Sequence, residues 1–195
     1  MKKTYLLLMI FILFSGFTFS QVKDNKVKPQ CRYNYLQITV GGGFAIPTEI
    51  MTDTYNPSAS AGFDLSYRTN PEVAVFFEGR YNMLSLVDKR GPTSGYLETT
   101  FGPRFYFSSK NVRSTFFVEA AIGPYTKFVA SYTDSTGQSF QSITEIKLGA
   151  NGGVGGELVF TDNFYFTLKA KYHTIFGVGG LVSYVSGYGG FTFRF

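Results

Sequence analysis

The sequence predicts an all-β chain: eight antiparallel strands in a transmembrane up-and-down β-barrel. Three observations predict it. Apolar and polar residues alternate with period two through most of residues 35–195, and no amphipathic helix interrupts them. The strands read this way hold about 10–13 residues, longer than the ~5–6 of soluble sheets and suited to the ~9–11 that cross a bilayer. The links alternate in length, long at one end and tight at the other.

The elements follow in chain order. Residues 1–20 read as a signal peptide: Lys2 and Lys3, an apolar run from Tyr5 to about Phe14, then Ser15, Gly16, Thr18 and Ser20. Cleavage is expected near Ser20/Gln21. The run is shorter than the roughly 18 residues of a spanning helix, which argues against a membrane anchor. Residues 21–34 are polar and basic and read as a flexible periplasmic lead-in. The barrel domain is then 35–195. Its strands are expected at 35–45, 59–68, 72–83, 96–107, 115–128, about 143–159, 164–174 and about 182–195. Long loops fall at 46–58, 84–95 and 129–142. Tight links fall at 69–71 and 161–163 and a short one at 108–114, and the last link, near 176–181, is also short.

Composition narrows the function. The lone cysteine, Cys31, excludes an internal disulfide framework and is read as an incidental thiol. It follows Lys-Pro-Gln, so it does not sit in a lipoprotein acylation site. The net charge of +5 falls by two when Lys2 and Lys3 leave, too little to suggest nucleic acid.

One phase of the alternation holds the charges: Asp64, Glu72, Glu78, Glu98, Glu119, Glu145 and Glu157 with Arg68, Arg80, Arg104, Lys127, Lys147, Lys169, Lys171 and Arg194. In a soluble barrel they would be surface charges. In a membrane barrel they must face the lumen, because Arg or Lys facing lipid at midplane costs roughly 2–4 kcal/mol. Strand length and the placing of six of seven Glu within strands favour the lumen. The aromatic residues suggest two interfacial girdles. Phe105–Phe107, Phe116, Phe160, Phe164–Phe166, Phe193 and Phe195 lie beside the tight turns, and Tyr81, Phe128, Phe176 and Tyr184 toward the long loops.

An eight-stranded barrel is only wide enough for its side chains to fill. Near-equal acids and bases therefore suggest a cross-strand ionic network that plugs the interior, centred on Glu78, Arg80, Arg104 and Glu119. The alternative is a narrow or gated pore lined by the same residues. A lipid-modifying enzyme comes third. It would need His173, the only histidine, beside a serine, and Thr174 follows it. His173 is therefore read as a structural luminal residue. No metal or cofactor site is expected. The glycine clusters at 41–43, 152–156 and 177–180 do not continue to Gly-Lys-Ser/Thr and read as relief of crowding.

The closing stretch YGGFTFRF, 188–195, resembles the C-terminal assembly signal of outer-membrane proteins, with Tyr188, Gly190, Phe193 and Phe195 fitting it. The segment GGVGGELVFTDNFYFTLKAKYH, 152–173, resembles the penultimate hairpin of small eight-stranded outer-membrane barrels of the OmpA/OmpX type. That resemblance extends over 35–195 in pattern and is sharp at 152–195. The absence of Trp departs from many members. It implies a bacterial outer-membrane location among outer-membrane lipid and lipopolysaccharide, recognition by the barrel-assembly machinery, and a monomer. No peptidoglycan-binding domain is expected. The implied role is membrane integrity or surface interaction through the loops, whose ligand the sequence does not name.

Overall fold

The computed structural model describes residues 35–48, 55–86, 94–107, 114–133, 138–161, 163–177 and 180–195. The predicted signal peptide, the lead-in with Cys31 and the middles of the predicted loops lie outside these residues.

Eight long strands carry the fold: β1 Tyr35–Thr48, β2 Ser58–Arg68, β3 Val73–Leu86, β4 Ser94–Phe107, β5 Ser114–Val129, β6 Ile143–Thr161, β7 Phe164–Gly177 and β8 Gly180–Arg194. Each pairs antiparallel with its neighbour in sequence, and β1 also pairs with β8 from Gln37↔Arg194 to Thr48↔Ser183. The sheet is thereby closed, and no barrel strand is left as an edge. Backbone bonds between Leu36 and Phe195, at 3.3 and 2.9 Å, carry the closing ladder to the last residue.

Most strands extend a few residues past the predicted bounds, chiefly into the long loops. Ile46–Thr48 continue β1, and Leu84–Leu86 continue β3. Tyr55 and Asn56, predicted as loop, pair with Leu86 and Ser85. Tyr132–Thr133 and Ser139–Phe140 form a small separate hairpin. The β2–β3 turn is tight because Asn70 Oδ1 accepts the Glu72 and Val73 amides at 2.9 and 2.8 Å. This corrects the expectation for Glu72, which is exposed in that turn and not part of the charged face.

The barrel is inside out. Leu36, Val40, Phe63, Val75, Phe77, Phe101, Ile122 and Phe191 face outward and exposed, while the opposite phase buries polar and charged side chains. An exterior of this kind suits hydrocarbon, not water. Phe164 stacks on Phe160 and Phe191, with centroids 5.6 Å apart in both pairs, and contacts Phe193 at 5.2 Å. This forms an aromatic band at the tight-turn end. Tyr106 and Tyr165, within the predicted girdle segments, are instead luminal. So is Tyr184, which corrects its placement among the outward aromatics: it is 3% exposed and stacked on His173.

Two glycines show why small residues are needed inside. A Cβ on Gly155 would lie 2.3 Å from the Phe117 ring, and one on Gly41 would lie 2.2 Å from the Gly189 carbonyl. Glycine lets large luminal side chains lie flat against the wall and lets β1 and β8 approach at the closing seam.

Candidate functional site: the charged lumen

Alternation delivers every second residue of each strand to the interior, and register sets its height. Asp64 pairs with Glu78 across β2–β3, and Arg104 with Glu119 across β4–β5. Lys169 and Lys171 enter from β7 on the far wall. Long cationic side chains from one wall can therefore reach acids on the other.

They do so in a central layer of seven residues. Arg104 Nη2 donates to Asp64 at 2.5 Å, and its Nε donates to Glu119 at 2.7 Å. Lys169 Nζ donates to the same Asp64 oxygen at 2.6 Å and to Glu78 at 3.2 Å. Lys171 Nζ lies 2.6 Å from Glu78 and 2.7 Å from Glu119. Arg80 pairs with Glu78 and donates to Ser186 Oγ at 2.8 Å. Each of the three carboxylates thus meets at least two cations. Aromatic rings fill the space between. Arg104 lies over Phe117 and Phe76, and Arg80 over Tyr188. The four residues expected at the centre all lie in this layer.

Toward the long loops a second layer follows. His173 stacks on Tyr184 with centroids 4.3 Å apart and ring planes within 3°. Its Nδ1 lies 3.1 Å from Tyr125 Oη and 3.4 Å from Glu98, and its Nε2 lies 2.8 Å from Ser186 Oγ. Glu98 also accepts from Tyr184 at 2.7 Å and Asn82 at 3.3 Å. Ser186 is the partner that sequence reading missed. It sits on the neighbouring strand, and its signal was its inward phase on β8. Ser186, His173 and Glu98 lie in the order of a nucleophilic triad, but the hydrogen bond of Nδ1 goes to Tyr125 and Glu98 stands 3.4 Å off. All three are 1% exposed or less, and Arg80 already donates to the serine oxygen. Tyr125 and Tyr184 of this layer also pack with Ala45, Tyr96 and Ile175 in one cluster, with Tyr55 and Val182 against it.

The remaining charges do not join the centre, which corrects their assignment to one network. Lys147 pairs with Glu145 at 3.1 Å on the loop-end rim, where its side chain is 23% exposed. Lys127 lies 6.0 Å from the Tyr55 ring. Arg68, Glu157 and Arg194 lie at the tight-turn end. Arg68 donates to Tyr35 Oη at 3.1 Å and to the Pro71 carbonyl, with its guanidinium 3.8 Å from the Tyr106 ring centre. Glu157 accepts from Tyr106 Oη at 3.0 Å. Arg194 is held between the rings of Tyr35 and Tyr165, 3.9 and 4.2 Å from their centres.

Of the residues fitting the assembly signal, Tyr188 and Gly190 face inward. Tyr188 Oη donates to the Gly62 carbonyl at 3.0 Å, and Phe193 and Phe195 are exposed on the outer wall. Among the described residues no cluster of His, Cys, Asp and Glu is arranged to hold a metal ion.

A closed eight-stranded barrel with an apolar exterior and an ion-paired interior is the architecture of the small outer-membrane β-barrels. Comparison with solved structures agrees. Neisserial surface protein A is 16% identical, with a TM-score of 0.58, over 82% of this chain and 97% of that one. The N-terminal β-barrel domain of Pseudomonas aeruginosa OprF is 18% identical, with a TM-score of 0.54, over 84% and 98%. Ail, the attachment invasion locus protein of Yersinia pestis, is 17% identical, with a TM-score of 0.54, over 84% and 100%. At these identities the likeness is one of fold. No family model and no curated protein sequence matches the chain.

Proposed function

We propose that the chain is a non-enzymatic outer-membrane barrel with a closed lumen, serving membrane integrity or surface interaction through its long-loop end. One observation carries the closed lumen. Asp64, Glu78, Arg80, Arg104, Glu119, Lys169 and Lys171 cross the interior at one level and are each 5% exposed or less. The lining of an aqueous pore would be wetted. Here the charges are consumed by one another, and the second layer, His173 with Tyr125 and Tyr184 and the cluster they join, adds to the closure toward the loops. The surface role is supported by the long connections gathered at one end, and by the named attachment and surface proteins that share the fold. In this reading the tight turns face the periplasm and the barrel-assembly machinery inserts the chain as a monomer.

The test is ion release from vesicles. Proteoliposomes loaded with potassium chloride and diluted into choline chloride should lose potassium no faster than protein-free vesicles. Fast release by the wild-type protein would favour the pore. Nothing in the geometry favours an enzyme, because the Ser186–His173–Glu98 arrangement is sealed from both lipid and solvent.

A further inference from the structure

The tight-turn end of the lumen differs from the centre in its charge balance. The buried acids are Asp64, Glu78, Glu98, Glu119 and Glu157. At the tight-turn end Arg68 and the half-buried Arg194 stand against one of these, Glu157, while Lys127 and Lys147, half-buried as well, lie at the opposite rim. The excess lies where Arg68 and Arg194 both contact Tyr35, one at its hydroxyl and the other on its ring face. Among the described residues neither arginine has a carboxylate within 4.0 Å. The buried acidic side chain at this end, Glu157, is bonded to Tyr106, and Glu72 is exposed in the β2–β3 turn.

Aromatic faces hold a guanidinium in place without neutralising it. Two such groups around one ring repel each other, and partial burial strengthens that repulsion. Three buried donors at this end also lack a partner: Arg68 Nε, Arg194 Nε and Gln37 Nε2. Gln37 is 0% exposed and Arg68 7%. Gln37 pairs in register with Arg194 on β8 and with Ser66 on β2, next to the Tyr35↔Arg68 pair. The three unused donors therefore belong to adjacent positions on β8, β1 and β2. An oxyanion supplies what they lack: negative charge and several acceptor lone pairs for guanidinium and amide donors.

We propose that the tight-turn mouth of the lumen binds a phosphate-class oxyanion between Arg68, Arg194 and Gln37. The anion is free phosphate or the phosphodiester of a lipid headgroup, and Arg194, only half buried, is the side from which it enters. The site does not depend on whether the central layer conducts.

Arginine Nε–Hε resonances report on these atoms directly. The folded barrel, labelled with nitrogen-15 arginine, is titrated with inorganic phosphate in neutral-detergent micelles against sodium chloride of equal ionic strength. A second arm compares nanodiscs of phosphatidylglycerol and phosphatidylcholine. Arg68→Lys and Arg194→Lys assign the two signals. Saturable phosphate shifts of both signals mean a free-anion site. Shifts in phosphatidylglycerol alone mean a headgroup site. In either case Arg194→Gln, checked for folding by its heat-shifted gel band, should weaken binding about tenfold or more. Shifts no larger than with chloride, together with indifference to the lipid, would overturn the proposal, as would undiminished binding by folded Arg194→Gln.

Discussion

Neutralising Glu78 probes the central layer most sharply. Glu78 accepts from Lys171 at 2.6 Å and Lys169 at 3.2 Å and pairs with Arg80. Glu78→Gln keeps the shape but leaves Asp64 and Glu119 to balance Arg80, Arg104, Lys169 and Lys171. Removing one partner of a buried ion pair costs about 3–5 kcal/mol, because the other charges stay buried. At about 2–4 °C per kcal/mol for a chain of this size, the unfolding midpoint should fall by about 6–20 °C. The shift from the compact to the unfolded band on a gel, followed against temperature, reads this out. Adding Lys171→Met returns the layer to its wild-type net charge and should recover part of the loss. A Glu78→Gln barrel that melts with the wild type, or a double variant no better than the single, would mean that Glu78 does not hold the charges of this layer.

Other outcomes follow from the same geometry. Gly155→Ala should destabilise by about 1–3 kcal/mol, since its Cβ would meet Phe117 at 2.3 Å. Gly152→Ala, whose Cβ would meet only Glu119 O at 3.8 Å, should be nearly silent in the same melting assay. Phe101→Arg places a charge on the lipid face at the level of the ionic layer and should cost about 2–4 kcal/mol, measured by urea unfolding in vesicles. A fluorophosphonate probe should leave Ser186 unlabelled in the folded barrel, checked by peptide mass spectrometry; labelling that His173→Ala abolishes would revive the enzyme reading.

Period-two alternation carried most of the architecture, because a barrel with opposite demands on its two faces writes those demands into every second residue. Strand count, closure and the inward phase of Glu78, Arg80, Arg104 and Glu119 were all legible. Height was not. Lys127 and Lys147 share the phase of the central acids but sit at the loop-end rim, and register fixes how far they stand from the centre. Ser186 was missed for the same reason: it pairs with Lys171, beside His173, only once β7 and β8 are aligned. Tyr184 was legible and misplaced. Counting back from Phe191 in steps of two reaches Val185 on the outer wall, so Tyr184 must point in, as it does. The excess charge at Arg194 could not be seen in a sequence where acids and bases nearly cancel.

We propose that the lumen is closed by its own charges. Single-channel recording of the refolded protein in a planar bilayer tests it most directly, with Glu78→Ala and Arg80→Ala recorded alongside. A silent wild type is expected, with leak in one or both variants, since each removes a member of the layer that fills the section. Reproducible, ion-selective steps from the wild type would contradict it and make the same residues the lining of a pore.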